Sequence, residues 1–246
     1  MSHHFIKFTD VHYAYPDGHE ALKGVSLLIT HGERVALLGR NGAGKSTLIL
    51  LTDGLLTASH GEVNIGDVPV EKRTLPLIRQ TVGMVFQNPD DQLFMPTVEE
   101  DVAFGPLNMQ LPTQEVRRRV ESALKATGTY ELRHRSPMQL SGGQKRSVAI
   151  ATVLSMEPSI LVLDEPTSNL DFAARRDLIK VLKEFTHTQL IATHDLAMAR
   201  ELCPRSIVID DGRVVADGPT EELVADPDVC AVLGLQDEVE REIGPV

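Results

Sequence analysis

The chain has 246 residues, 42% of them hydrophobic and 24% charged, with a net charge of -11. That is long enough for a buried core without staples and too apolar for disorder or a fibrous repeat. An acidic balance of this size argues against broad electrostatic attachment to nucleic acid, which needs a basic face. The longest apolar runs, "VALLG" and "ILVLD", fall far short of the roughly 18 residues of a membrane-spanning helix. The start, "MSHHFIKFTD", has no basic region followed by an apolar stretch and a cleavage site, so no secretory signal is expected and the default compartment is the cytoplasm. Cys203 and Cys230 have no ligand-like spacing and are expected to be buried or incidental.

In chain order, "FIKFTDV", the turn-like "YPDGHEA" and the apolar "RVALLG" alternate strand and turn. The stretch "STLILLTDGLL" after the next loop reads as a helix. "EVNIGDVPV" reads as a hairpin, because β-branched runs flank Gly66-Asp67, a pair that accepts positive φ. A partly antiparallel β lobe is therefore expected. From about Thr97 to Met156 the pattern is helical, clearest where Val116, Val120, Ala123, Leu124 and Thr127 share one face. Thr113 is placed to cap that helix and Gly128 to end it, with Arg117 to Arg119 as a solvated face. The remainder alternates "ILVLD", "AARRDLIKVLKEF", "QLIAT" and "DLAMARELC". Apolar strands between helices predict a parallel sheet covered on both faces. "SIVIDDGRVVADG" predicts a closing hairpin turning at Asp211-Gly212, and the acidic tail "LQDEVEREIGPV" has helical character without assignable chemistry.

The segment Gly39, Arg40, Asn41, Gly42, Ala43, Gly44, Lys45, Ser46, Thr47 matches G-x-x-x-x-G-K-S/T in full, between an apolar strand and a helix, as the motif requires. Glycines let backbone N–H groups close around phosphate oxygens; Lys45 can reach the β and γ phosphates and Ser46 can ligate Mg2+. A nucleoside triphosphate with magnesium is expected, and the absence of an N-K-x-D guanine reader favours ATP. Asp164, at the end of "ILVLD", is placed to hold the metal through water. Glu165 next to it can accept a proton from, or orient, the water that attacks the γ phosphate. His194 in "LIATHD" ends another buried strand, where open α/β sheets place ligands, and is expected to hydrogen-bond the γ phosphate.

Together "GRNGAGKST", "LSGGQKR", "ILVLDEP", "SNLD" and "THD", in this order, resemble the nucleotide-binding subunit of ATP-binding cassette (ABC) transporters from about Phe5 to Leu235. The resemblance implies a P-loop NTPase of the ABC ATPase fold: an α/β, RecA-like parallel-sheet core with an antiparallel β subdomain and a helical signature subdomain. It implies one nucleotide-binding domain over 1–235, the helical part inserted at about 90–156, and a short tail at 236–246. In that family two subunits pack head to tail, with ATP between the P-loop of one and the "LSGGQ" of the other. Physical chemistry makes sense of this. Ser141 is a suitable N-cap, Gly142 and Gly143 permit close approach, and Gln144 opens a helix that aims its positive end at an anion. The turn carries neither lysine nor metal ligand, so it completes a site instead of forming one.

Other positions transfer by match. Tyr15 in "HYAYPDG" resembles the aromatic that stacks on adenine, with Tyr13 its competitor, and either could be ordinary core packing. Gln87 in "VFQNPDDQLF" resembles the glutamine that contacts Mg2+ and the attacking water. Asp171 in "SNLD" resembles the aspartate that crosses the dimer interface, its alternative being a helix cap; Asn169 stands where family members more often have a small residue.

The longer phrases "YPDGHEALKGVS", "VFQNPDDQLF", "TVEEDVAFGPLNM" and "DGPTEELVADPDV" resemble the ATPases of energy-coupling-factor importers, especially the cobalt and nickel branch. Vitamin importers such as those for biotin are the alternative. The resemblance implies a second copy or a paralogous ATPase as partner, with integral membrane subunits, one coupling and one binding substrate. The place implied is the cytoplasmic face of the membrane. Leu93, Phe94 and Met95 are expected to be exposed on a groove for the membrane partner. Non-transport cassette ATPases acting on nucleic acid are the rival class; their inserted coiled coils or tandem cassettes are not found here. His3 and His4 are read as a disordered or vector-like start without a metal role.

Overall fold

The computed structural model describes residues 4–234. His3 and the acidic tail lie outside the described residues. In chain order the elements are β1 (Ile6–Ala14), β2 (Glu20–Ile29), β3 (Arg34–Leu38), α1 (Lys45–Leu50), β4 (His60–Ile65), β5 (Val68–Pro69), α2 (Leu75–Thr81) and β6 (Val82–Val85). Three longer helices follow, α3 (Val98–Asn108), α4 (Thr113–Ala126) and α5 (Gly142–Leu154). The rest is β7 (Ile160–Asp164), α6 (Phe172–Glu184), β8 (Thr188–Thr193), α7 (Leu196–Leu202), β9 (Arg205–Asp210), β10 (Arg213–Pro219), α8 (Thr220–Leu223) and α9 (Pro227–Leu233). The described residues form two compact units, one made of 4–78 and 188–234, the other of Arg79–His187.

The first unit contains the expected antiparallel lobe, in the order β2-β1-β4-β5. Its β4–β5 turn is the predicted one: Ile65 pairs with Val68 across Gly66 (φ 59) and Asp67. The same unit holds β10-β9-β3-β8, where β3 runs parallel to both β8 and β9. Val35 to Leu38, Leu190 to Ala192 and Ile207 to Ile209 are wholly buried, as near-continuous apolar strands of a covered sheet should be. The β9–β10 hairpin turns at Asp211 (φ 44) and Gly212 (φ 73), the left-handed pair of a type I′ turn.

The second unit pairs β6 and β7 in parallel and packs α3, α4 and α5 around Val102, Val116, Val120, Leu124 and Val148. The apolar face of α4 is the predicted one, and Gly128 (φ 67) follows its end. Thr113, however, is already helical: Pro112 occupies the cap position without a side-chain bond, because its ring fixes φ near the helical value. A capping box does open α3, where Thr97 and Glu100 satisfy each other's backbone amides.

Other expectations are corrected. The helix after the nucleotide loop stops at Leu50, since Thr52 turns its hydroxyl back onto the Ile49 carbonyl and Gly54 takes φ 72. Arg119 is not part of a solvated face; its side chain is 15% exposed and is clamped by Glu115, Glu157 and the Met156 carbonyl. Leu93 belongs to the helical core at 9% exposure, whereas Phe94 is 63% exposed and meets Phe104 edge-on at 4.9 Å. His4, read as part of a disordered start, accepts a hydrogen bond at its carbonyl from Thr188 Oγ1 at 3.1 Å. Among the described residues no helix is long and apolar enough to cross a membrane, and no group of three or more His, Cys, Asp or Glu could hold a metal ion. Both cysteines are free and buried.

Candidate functional site

In the first unit, β3 delivers the chain into the loop 39–44, and α1 starts at Lys45. Gly42 (φ 83) and Gly44 (φ 106) hold left-handed backbone that L residues resist. A Cβ on Gly44 would lie 2.7 Å from the Ala21 carbonyl, and one on Gly39 would lie 2.4 Å from that of Ile209. The loop therefore fits its neighbours only with glycine at both places. The Lys45 side chain runs back along the loop, donating to the carbonyls of Gly39 at 2.7 Å and Arg40 at 3.3 Å. Arg40, Asn41, Gly42 and Ser46 are exposed, and Ala43, Gly44, Lys45 and Thr47 are buried.

The β9–β10 turn braces this loop, a support that sequence reading missed: Gly212 N donates to Ala43 O at 3.0 Å while Gly212 O accepts from Lys23 N at 2.9 Å. The Asp211-Gly212 pair at that turn announced a hairpin but not its neighbour.

Tyr15 reaches the first turn of α1. Its hydroxyl lies 3.0 Å from Thr47 Oγ1, and its ring is edge-on to Tyr13 (5.0 Å) and near-parallel to His19 (6.4 Å, 12°). His194 is brought to the same place by strand register. Leu38 of β3 pairs with Thr193 of β8, so Gly39 and His194 are the next residues off neighbouring strands at the same end. Thr193 Oγ1 accepts from the Asp195 amide and Asp195 caps α7, fixing the turn on which the exposed His194 sits.

The second unit repeats that logic. Val85 pairs with Leu163, so Phe86-Gln87 and Asp164-Glu165 leave parallel strands at one end. Gln87 is exposed, while Asp164 and Glu165 are 8% and 6% exposed. Glu165 adopts φ 46, an uncommon conformation for a non-glycine residue that directs its side chain differently from the strand before it. Its carbonyl accepts from Ser168 N at 3.1 Å, closing a tight turn.

Ser141 caps α5 as expected, and the cap is a full box: Ser141 Oγ accepts from Gln144 N, and Gln144 Oε1 accepts from Ser141 N at 3.0 Å. The Gly142 and Gly143 amides open the helix and have no helical acceptor. Around Gly142 there is open space, with nothing within 4 Å of an added Cβ, and Gly143 would place its Cβ 3.2 Å from that of Ala174. Asp171 does what its alternative reading said, accepting from Ala174 N at 2.8 Å to cap α6. Asn169 takes φ 61, which asparagine tolerates better than most side chains. These two elements and the 125–132 turn line a groove of about 960 Å³. Arg146 is buried at 3% exposure; burial pushes its pKa down, and the carboxylate of Asp164 partly offsets that.

A sequence profile described as ABC transporter matches residues 22–168. The energy-coupling factor transporter ATP-binding protein EcfA of Methanocaldococcus jannaschii is 45% identical over 228 residues, covering 91% of this chain and 82% of the relative. Among solved structures, cbiO1 from Clostridium perfringens, described as part of the ABC transporter complex cbiONQ, superposes with a TM-score of 0.82. It is 40% identical, covering 97% of this chain and 98% of the other. The dimeric post-hydrolysis state of the ATP-binding cassette MJ0796, bound to ADP and Pi, superposes with a TM-score of 0.79 at 32% identity, covering 87% and 98%. The chain belongs to the ABC transporter family: it has the ABC ATPase fold and is an ATP-hydrolysing subunit of an energy-coupling-factor-type transporter.

Proposed function

We propose that the protein energises a membrane importer for cobalt or nickel as a peripheral subunit on the cytoplasmic face, two copies enclosing ATP between the P-loop of one and the Ser141 turn of the other. The observation that carries this reading is the pair of complementary devices on one chain. The loop 39–44 wraps a buried lysine, and the capped N-terminus of α5 is open to solvent with nothing near Gly142. The second device has amides and a serine but no cation. It suits the far side of a phosphate that another chain already holds.

In this reading Lys45 releases the carbonyls of Gly39 and Arg40 to bind the β and γ phosphates, and Tyr15 lies against the adenine. His194 donates to the γ phosphate. Glu165, fixed by its left-handed backbone, takes the proton of the attacking water while Gln87 orients that water. Ser46, Asp164 and Gln87 would supply the hard oxygens that magnesium prefers, and the ion when bound would neutralise charge on the phosphates. Asp171 crosses towards the second copy. Donors added around a transferring phosphoryl group contribute about 10³ to 10⁵ in rate in other systems, so completion of the site by a partner can gate hydrolysis. Closure of the pair drives integral membrane subunits, one coupling and one holding the cargo, and hydrolysis releases it. Cobalt or nickel rests on the four longer phrases in the sequence, and the exposed Phe94 and Phe104 are the face offered to the coupling subunit.

Purified protein tests this directly. Glu165→Gln is expected to bind ATP and accumulate as an ATP-dependent dimer in size exclusion, and Lys45→Ala to lose ATP affinity or turnover. Hydrolysis by Glu165→Gln at the parent rate would show that the base is another group.

A further inference from the structure

The loop after β6 is tied to the signature helix α5 by two side chains to which the motifs that contain them assign no role. Arg146, in the second turn of α5, donates from its guanidinium to the carbonyl of Phe86 at 2.7 Å and to that of Gln87. From the other side Gln92 accepts from the Phe86 amide at 3.2 Å, and its own amide donates to Ala149 O and Thr152 Oγ1 of α5, at 2.8 Å each. An ion pair between Lys145 and Asp90 at 2.5 Å adds a more exposed tie. The backbone on which Gln87 stands is therefore bonded through N–H and C=O groups to one helix, and that helix begins at the Ser141 turn.

The strength of this tie follows from burial. Arg146 keeps its charge in any folded state and is 3% exposed, and its Nε has no hydrogen-bond partner. If the loop moved away, the guanidinium would also lose both carbonyls in a place water does not reach, which is the costly way to break a charged hydrogen bond. α5 in turn buries Val148, Ala149, Ile150 and Ala151 and cannot flex locally to follow.

We propose that Arg146 and Gln92 are positioning residues that clasp the Gln87 loop to α5, so that Gln87 and the Ser141–Gly143 turn reach and leave their nucleotides as one body. This rests on the reading of Gln87 and Ser141 as nucleotide-contacting groups. One chain then cannot set Gln87 at its own nucleotide without also setting the turn it presents to its partner's nucleotide, which couples the two half-sites of a dimer.

The test uses the full chain with Gln92→Ala and Arg146→Lys, beside the parent and Glu165→Gln. Binding of a fluorescent ATP analogue should stay within about twofold of the parent, because neither change touches the P-loop, while kcat falls about tenfold, the loss expected for one misplaced hydrogen-bonding group. The double variant should be no slower than the slower single one, since both act through the same backbone. Amide exchange supplies the readout that a loss of stability alone would not move. In the parent, residues 86–92 and 141–146 should gain protection together on adding ATP and magnesium; in Gln92→Ala the two responses should separate. If Arg146→Lys does not fold, Gln92→Ala decides alone. Unchanged kcat with exchange still moving together in Gln92→Ala overturns the clasp. The exchange readout needs no turnover, so it decides the clasp even if Glu165→Gln kept its ATPase and the functional reading fell.

Discussion

Replacing Asp101 should separate two contributions that one carboxyl makes to the helical unit. Asp101, in the first turn of α3, is 2% exposed, and its Oδ1 accepts from the amides of Phe94 and Met95, each at 3.0 Å. Burial raises its pKa from the ordinary 3.8, the two amides pull it down, and Glu100 adds a smaller upward push. Asp101→Ala strands two amides that are not fully solvated, at about 1 to 3 kcal/mol each, so a loss of about 2 to 6 kcal/mol is expected. Asp101→Asn keeps the acceptor but puts a donor where Oδ2 has no partner, and should lie within about 1 to 2 kcal/mol of the parent at neutral pH. The sign of the pH dependence follows from the raised pKa. A carboxyl that binds its proton more tightly in the folded state adds stability below its unfolded pKa and loses that contribution as pH rises through the folded one. The asparagine variant should therefore compare better with the parent at pH 8 than near the unfolded pKa. Urea unfolding followed by circular dichroism measures both. A loss below about 0.5 kcal/mol in Asp101→Ala, or an unaltered pH slope in Asp101→Asn, would refute the reasoning.

Gly44→Ala should abolish nucleotide binding and lower the unfolding midpoint. Its φ of 106 is strained for any L residue and its Cβ would meet the Ala21 carbonyl at 2.7 Å, for a combined loss of about 2 to 4 kcal/mol; retention of ATP binding would show that the loop can reshape. The thiols should resist alkylation in the native protein. Cys203 is 1% exposed and burial pushes its pKa up to about 12, while Cys230 is 5% exposed with its Sγ directed at the Val224 carbonyl. At pH 8 the Cys203 thiolate fraction is about 10⁻⁴. Iodoacetamide with mass spectrometry should find both cysteines unmodified until denaturant is added, and rapid native labelling of Cys203 would contradict its burial.

Features written in local backbone chemistry were legible. Gly66-Asp67 and Asp211-Gly212 turn where a positive φ is needed, and the segment 39–47 could be read because its glycines, lysine and hydroxyls each answer one demand of a phosphate. The apolar stripe of α4 identified its buried face for a similar reason, since one periodicity decides it. Even the errors were local in kind. Thr113 and Pro112 both favour a helix start, and only the φ and ψ of Pro112 show which residue stands outside; Leu93 and Phe94 are equally apolar, and only the packing of α3, α4 and α5 separates the core residue from the exposed one.

The clasp was not legible because it has no local signature. Arg146 and Gln87 are 59 residues apart, and the bond between them ends on a backbone carbonyl that every residue type offers. In sequence Arg146 is one more cation after a signature motif, and Gln92 one more polar residue in an acidic loop. Their meaning depends on α5 crossing beside the end of β6, which packing decides. The residues that meet the nucleotide must have particular chemistry and therefore leave a motif. The residues that hold those groups in place need only length, a donor and burial, which many sequences can supply. A buried, charged donor aimed at the backbone of a motif loop is thus a better guide to how such a site is positioned than any further pattern in the sequence.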